Sequence, residues 1–150
     1  MVFSLCVTPA FAEERSDGYF EFVAGQERMS SNGSFVFNFR VNLLSDEFTA
    51  NGSSLTVVTQ AWVSNTDVFA DNRIPDGSVS FTVKLCKKTI VGGVTVGSYT
   101  AYANGVRGGL TFNNIEQGAT YYLQLTAESG FEHTMKYIDG EGQVSPITLN

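Results

Sequence analysis

His133 is the single histidine of this 150-residue chain. One imidazole makes no zinc site without cysteine or carboxylate partners at metal-ligand spacing, and neither His-x-His nor Cys-x-x-Cys occurs. Serines are plentiful, but no Gly-x-Ser-x-Gly turn presents one as a nucleophile, so His133 reads as a solvated loop residue. Carboxylates are the next resource, because a glycosidase needs only two of them. Asp46 with Glu47, Asp139 with Glu141, and the group Asp67, Asp71 and Asp76 are available. All sit in turn-like stretches, where Asp more often caps backbone than performs chemistry. Together with Asn65 and Asn72, Asp67, Asp71 and Asp76 offer enough oxygen to be candidate Ca²⁺ ligands on ligand type, though without an ordered EF-hand spacing. The chain reads as a non-enzyme.

Aromatic residues hold the more useful chemistry. Trp62 and Tyr122 fall on the face opposite the expected core of their strands, and Tyr99 joins them if a register change falls near Gly97. Flat rings on an outer sheet face stack on sugars or anchor a protein partner, because they offer large area at low entropy cost. The competing reading is that these rings pair across strands or are covered by neighbouring elements.

The elements that must carry these rings are strands. Phe35, Phe37, Phe39, Val41 and Leu43 alternate with Ser34, Asn38, Arg40 and Asn42, a period of two with one buried face and one wet face. Further strands are predicted over 19–24, 55–63, 79–91, 94–103, 110–115, 121–127, 135–138 and 144–149. Asn-Gly, Asp-Gly and Gly-Gly pairs separate them: Gly92-Gly93 is expected to be a hairpin turn and Asp139-Gly140 the turn between the last two strands. No stretch keeps a 3.6-residue period. The expected fold is all-β, an antiparallel two-sheet β-sandwich with Phe35, Phe37, Phe39, Phe81, Phe112, Tyr121, Leu123 and Leu125 in its core.

Composition narrows the function classes. Charged residues make up 16% of the chain, below the usual value of about 25%. The net charge of −6 argues against nucleic acid, and Lys84, Lys87 and Lys88 read as a solvated strand edge. Val2 to Ala12 is uncharged and ends Ala10-Phe11-Ala12 before Glu13-Glu14, the pattern of a secretory leader cut after Ala12. Residues 1–12 are therefore expected to be a leader remnant and 13–150 a single domain, secreted or held at the cell envelope. Cys6 would leave with the leader, and Cys86 would remain as a small unpaired filler. No stretch reaches the ~20 apolar residues of a transmembrane segment.

The stretch Leu110 to Ala127, LTFNNIEQGATYYLQLTA, resembles the tyrosine corner of immunoglobulin-like and fibronectin type III-like modules. The resemblance implies that Tyr121 packs inward with its hydroxyl bonded to backbone near Ile115 to Gly118. Gln117 stands where fibronectin type III modules usually carry proline. At fold level the resemblance covers about Ser54 to Gly140. A jelly roll of the prepeptidase C-terminal type is similar in the Tyr-Tyr-Leu strand, so immunoglobulin-like and jelly-roll orders both stay open. Both resemblances imply non-catalytic recognition. The expected function is surface recognition or adhesion to a protein or envelope partner, with a carbohydrate-binding jelly-roll module as the alternative.

Overall fold

The computed structural model describes residues 5–6, 18–23 and 33–149. Along the chain run β1 (Leu5–Cys6), β2 (Tyr19–Phe22), β3 (Gly33–Phe39), β4 (Asn42–Leu44), β5 (Phe48–Ala50) and β6 (Leu55–Ser64). They are followed by β7 (Asp76–Thr89), β8 (Gly92–Ala103), β9 (Gly108–Phe112), β10 (Thr120–Ala127), β11 (Tyr137–Ser145) and β12 (Ile147–Leu149). One sheet has the order β1-β8-β7-β10-β5-β12, with β4 also on β10; the other is β2-β3-β11-β6-β9. Every pairing is antiparallel. Among the described residues no helix is long and apolar enough to cross a membrane.

The pairings are nested around one hairpin. β7 pairs β8, β6 pairs β9, β4 and β5 pair β10, and β3 pairs β11, with successive pairs falling in alternate sheets. A long hairpin rolled up in this way is a jelly roll. Of the two sandwich orders left open by the sequence, the jelly roll is therefore the one adopted, and the immunoglobulin-like order is set aside. The tyrosine corner survives this change as a local device. Tyr121 is 1% exposed and its hydroxyl accepts a hydrogen bond from the Glu116 N–H at 2.9 Å.

All eight residues expected in the core are buried. The run Phe35, Phe37, Phe39 builds an aromatic ladder, with neighbouring ring centroids 6.1 and 6.0 Å apart, that meets Phe81 of the opposite sheet. The alternating stretch from Ser34 to Leu43 forms two strands rather than one. A bend at Arg40–Val41 carries the chain from the five-stranded sheet to the seven-stranded one, so Leu43 meets the same core from the other side while Val41 is 43% exposed.

Asp139-Gly140 is not a turn. It lies inside β11, which runs unbroken between β3 and β6. The glycines are there for space: a Cβ on Gly140 would sit 2.6 Å from Phe37 Cζ and 2.5 Å from the Gln60 carbonyl oxygen. Phe37 thus fills the gap that the missing side chain leaves, while Asp139 and Glu141 project to the outer face. The hairpin turn after β7 is likewise shifted. Ile90 and Val91 form its tip, 103% and 94% exposed, and Gly92, at φ 134, opens the return strand.

Cys86 is disulfide-bonded, which corrects the expectation of an unpaired filler. The expectation failed because it removed the chain's other cysteine, at position 6, with the leader. Position 6 falls in β1, which pairs Gly93–Val94 of β8; the rest of the expected leader lies outside the described residues.

Candidate functional site

Three neighbouring strands place Asn38, Asp139 and Trp62 in one row across the five-stranded sheet. Their strand neighbours Phe37, Phe39, Ile138, Ala61 and Val63 point into the core, so the row faces outward by simple alternation. The long loop 65–75 folds back over this row, with Ile74 bridged to Val63 by paired backbone bonds. Asp139 holds the loop down. Its carboxylate, 0% exposed, accepts from Asn38 Nδ2 at 2.8 Å, the Ala70 N–H at 3.1 Å and Arg73 Nε at 2.6 Å. Arg73 Nη1 reaches Glu141 at 3.3 Å. The guanidinium carbon lies 4.3 Å from the Trp62 ring centroid and 4.8 Å from that of Phe69, a cation held between two aromatic faces.

Trp62 is consequently half-buried rather than open. Arg73 covers its face, and Gly105 (φ 77) lies against its indole edge, where a Cβ would come 2.8 Å from Nε1. Asp139 and Glu141 are both committed to Arg73. This cluster positions a loop. It is not arranged to act as acid and base, because Asp139 is enclosed by donors and has no exposed surface.

The aspartates proposed for calcium do not converge. Among the described residues no three His, Cys, Asp or Glu side chains are placed to hold a metal ion. Asp76 Oδ1 caps the next turn, accepting from Ser78 N at 3.0 Å and Ser78 Oγ at 2.6 Å, and these bonds lower its pKa. Asp71 Oδ2 accepts from Thr66 Oγ1 at 3.2 Å within the loop. Asp67 lies exposed beside Tyr19, Asn38 and Tyr137. Local turn and loop bonds engage Asp76 Oδ1 and Asp71 Oδ2.

Nor do the three aromatic rings share a surface. Tyr122 is on the outer side of the other sheet, 0% exposed, packed with Cys86 and Leu44. Its alternation was read correctly; what covers it was not visible in the sequence. Tyr99 pairs with Val83, and so faces inward. A register shift does occur beside Gly97, but it keeps Tyr99 on the core side, where its hydroxyl lies 3.0 Å from Thr59 Oγ1. Burial pushes the pKa of both Tyr99 and Tyr122 up to about 12. Since the ordinary value is 10.0, the folded state holds these protons longer than the unfolded chain, and stability falls as pH rises from 10.0 to about 12. In a tyrosinate absorbance titration, a late component at about pH 12 is expected from Tyr99 and Tyr122, with the unfolding midpoint declining across the same window. A titration with no such late component would contradict the burial of this pair.

Tyr99 leads to a feature that the sequence did not disclose. β8 beyond Gly97 and β9 lie at the same side of the two sheets, and the turn Asn104–Arg107 joins them. A cleft of about 290 Å³ opens here, lined by Thr59, Tyr99, Thr100, Tyr102, Asn104 and Arg107, among others. Tyr102 is 49% exposed. Asn104 Oδ1 accepts from the Val106 N–H at 3.0 Å, and Gln60 Nε2 donates to the Gly105 carbonyl at 2.8 Å, so the turn is braced from both sides. Gly109 packs its bare backbone against Val57, which lets β9 close onto β6. Aromatic faces, hydroxyls, a carboxamide and a guanidinium are thus grouped around one slot. In the sequence the Asn104-Gly105 turn signal was legible, but the cleft needs β8 and β9 brought together from different sheets.

No protein-family model matches the chain, and no curated protein does. Among solved structures it is similar to the C-terminal CBM6 of LamC, a marine laminarinase from Zobellia galactanivorans: 15% identity, 87% of this chain and 89% of that one, TM-score 0.41. It is also similar to the CBM36-1 domain of a multidomain xylanase from the hindgut metagenome of Trinervitermes trinervoides, at 14% identity, 89% and 90% coverage and TM-score 0.41. A third is PliG of Aeromonas hydrophila, a periplasmic inhibitor of g-type lysozyme, at 10% identity, 89% coverage of each chain and TM-score 0.39. No residue is carried across from any of these.

Proposed function

We propose that this jelly roll is an exported, non-catalytic module that binds a glycan in the cleft at its β8–β9 edge. The observation that supports it is the grouping of Tyr102, Tyr99, Asn104, Arg107 and Thr100 around one preformed slot of about 290 Å³. A tyrosine ring offers a stacking face, and hydroxyl, amide and guanidinium groups supply directional bonds to sugar hydroxyls. Export is supported by the Cys86 disulfide, since such bonds persist in oxidising compartments. A binding role suits a molecule whose Asp139 and Glu141 are committed to fixing a loop.

Thermal-shift titration of the disulfide-intact chain against soluble polysaccharides tests this. One glycan is expected to raise the unfolding midpoint, and Tyr102→Ala is expected to abolish that rise, because its half-exposed ring touches little of the core. A rise that survives Tyr102→Ala would move the site elsewhere. A second reading, adhesion to a protein partner, is favoured by the apolar hairpin tip at Ile90 and Val91. Absence of any glycan response, with capture of a partner that Ile90→Ser/Val91→Ser abolishes, would select it.

A further inference from the structure

We infer that the ligand of the edge cleft is an anionic glycan whose carboxylate or sulfate group is held by Arg107. This rests on the glycan reading above and specifies the class of sugar. Three observations carry it. First, Arg107 is the one charged residue among those lining the cleft; neither Asp nor Glu is present there. In a chain of net charge −6, a slot free of acidic side chains is a local exception.

Second, the guanidinium is uncommitted. Four other described cations are engaged: Arg73 with Asp139 and Glu141, Lys87 with Glu116, Lys88 with Glu47, and Arg40 over the Tyr137 ring. Arg107 is exposed and has no ion pair or side-chain hydrogen bond among the described residues. Third, its surroundings complete an anion-bearing sugar site. Asn104 spends its carbonyl on the Val106 N–H, which leaves its amide as a donor beside the slot. Gly108 presents bare backbone with open space where a Cβ would stand, giving the ligand a close approach next to Arg107. A planar guanidinium fork matches carboxylate or sulfate oxygens with two parallel bonds, which an ammonium does not. Tyr102 then supplies the ring face for the sugar itself.

The test is affinity electrophoresis and calorimetric titration of the full, disulfide-intact chain against polygalacturonate, dextran sulfate and unsubstituted dextran. Retention by polygalacturonate or by dextran sulfate, and not by dextran, is expected, and the arm that binds identifies carboxylate or sulfate. Arg107→Gln should lose at least about tenfold in affinity with an unchanged unfolding midpoint, and Arg107→Lys should recover only part of that loss. Lys88→Gln, which alters charge at the far hairpin, should bind as the wild type does. If Arg107→Gln binds as tightly as wild type, or Lys88→Gln loses as much, the inference fails. Binding of dextran that Tyr102→Ala abolishes and Arg107→Gln does not would overturn the anionic class while sustaining the glycan site. If none of the three polymers binds, the anionic class fails, and the thermal-shift titration against other neutral polysaccharides then decides the glycan reading separately.

Discussion

Replacing Asp139 with alanine is expected to lower the unfolding free energy by about 3–5 kcal/mol, the usual cost of stranding one partner of a buried ion pair. An exposed salt bridge contributes at most about 1 kcal/mol, so the size of the effect decides which description applies. Burial argues for the larger one: Asp139 has no exposed surface and the Arg73 side chain is 19% exposed. Without the carboxylate, Arg73 stays packed on Trp62 and Phe69 with only the partly exposed Glu141 to match its charge, the Ala70 N–H loses its acceptor, and Asn38 Nδ2 keeps only the Thr66 carbonyl at 3.3 Å. One guanidinium nitrogen, Nη2, is already buried without a partner among the described residues, so the pair has no slack to absorb the loss.

Urea unfolding followed by the fluorescence of Trp62, the single tryptophan, reads both stability and the stack directly. Adding Arg73→Met to the Asp139→Ala variant should restore part of the loss, because it removes the stranded charge and leaves an apolar chain between the rings. A change below about 1 kcal/mol in Asp139→Ala would show that loop 65–75 is held by something other than this carboxylate.

Phe37→Ala should cost a similar amount, about 3–5 kcal/mol, for a different reason. The ring is 0% exposed and lies 6.0 to 6.1 Å from the centroids of Phe35, Phe39 and Phe81, joining the two sheets. It also occupies the space above Gly140, so its removal opens a cavity between the sheets. Gly140→Ala should be destabilising as well. Its methyl would meet the Gln60 carbonyl oxygen at 2.5 Å, a backbone contact that neither strand can relieve by changing a rotamer. Chemical denaturation of both variants checks the pairing of ring and glycine; a wild-type midpoint in Gly140→Ala would refute it.

The two expectations about Asp139 and Gly140 show where sequence reading ran short. Asp-Gly is a common turn signal, and in isolation it points to a break between strands. It was overridden because Phe37 and Gln60, distant in sequence, need a residue without a side chain at position 140, and because Asn38, Ala70 and Arg73 need a carboxylate at 139. The aromatic candidates are separated from one another in an equally specific way. Alternation placed Trp62 and Tyr122 on outer faces correctly, yet those faces belong to different sheets. Each was then covered, Trp62 by Arg73 and Gly105 and Tyr122 by Leu44 and Cys86.

Sequence by itself determined the all-β class, the strand alternation, the identity of the core residues and the tyrosine corner at Tyr121. These depend on neighbours a few residues apart, so period and turn chemistry suffice to specify them. Tertiary structure alone decided the jelly-roll order, the bond at Cys86, the dispersal of Asp67, Asp71 and Asp76, and the edge cleft around Tyr102 and Arg107. Each of those is a relation between segments far apart in the chain. Two sheets with the same alternating pattern can be stacked in several strand orders, and only the packing of one on the other chooses which edges meet.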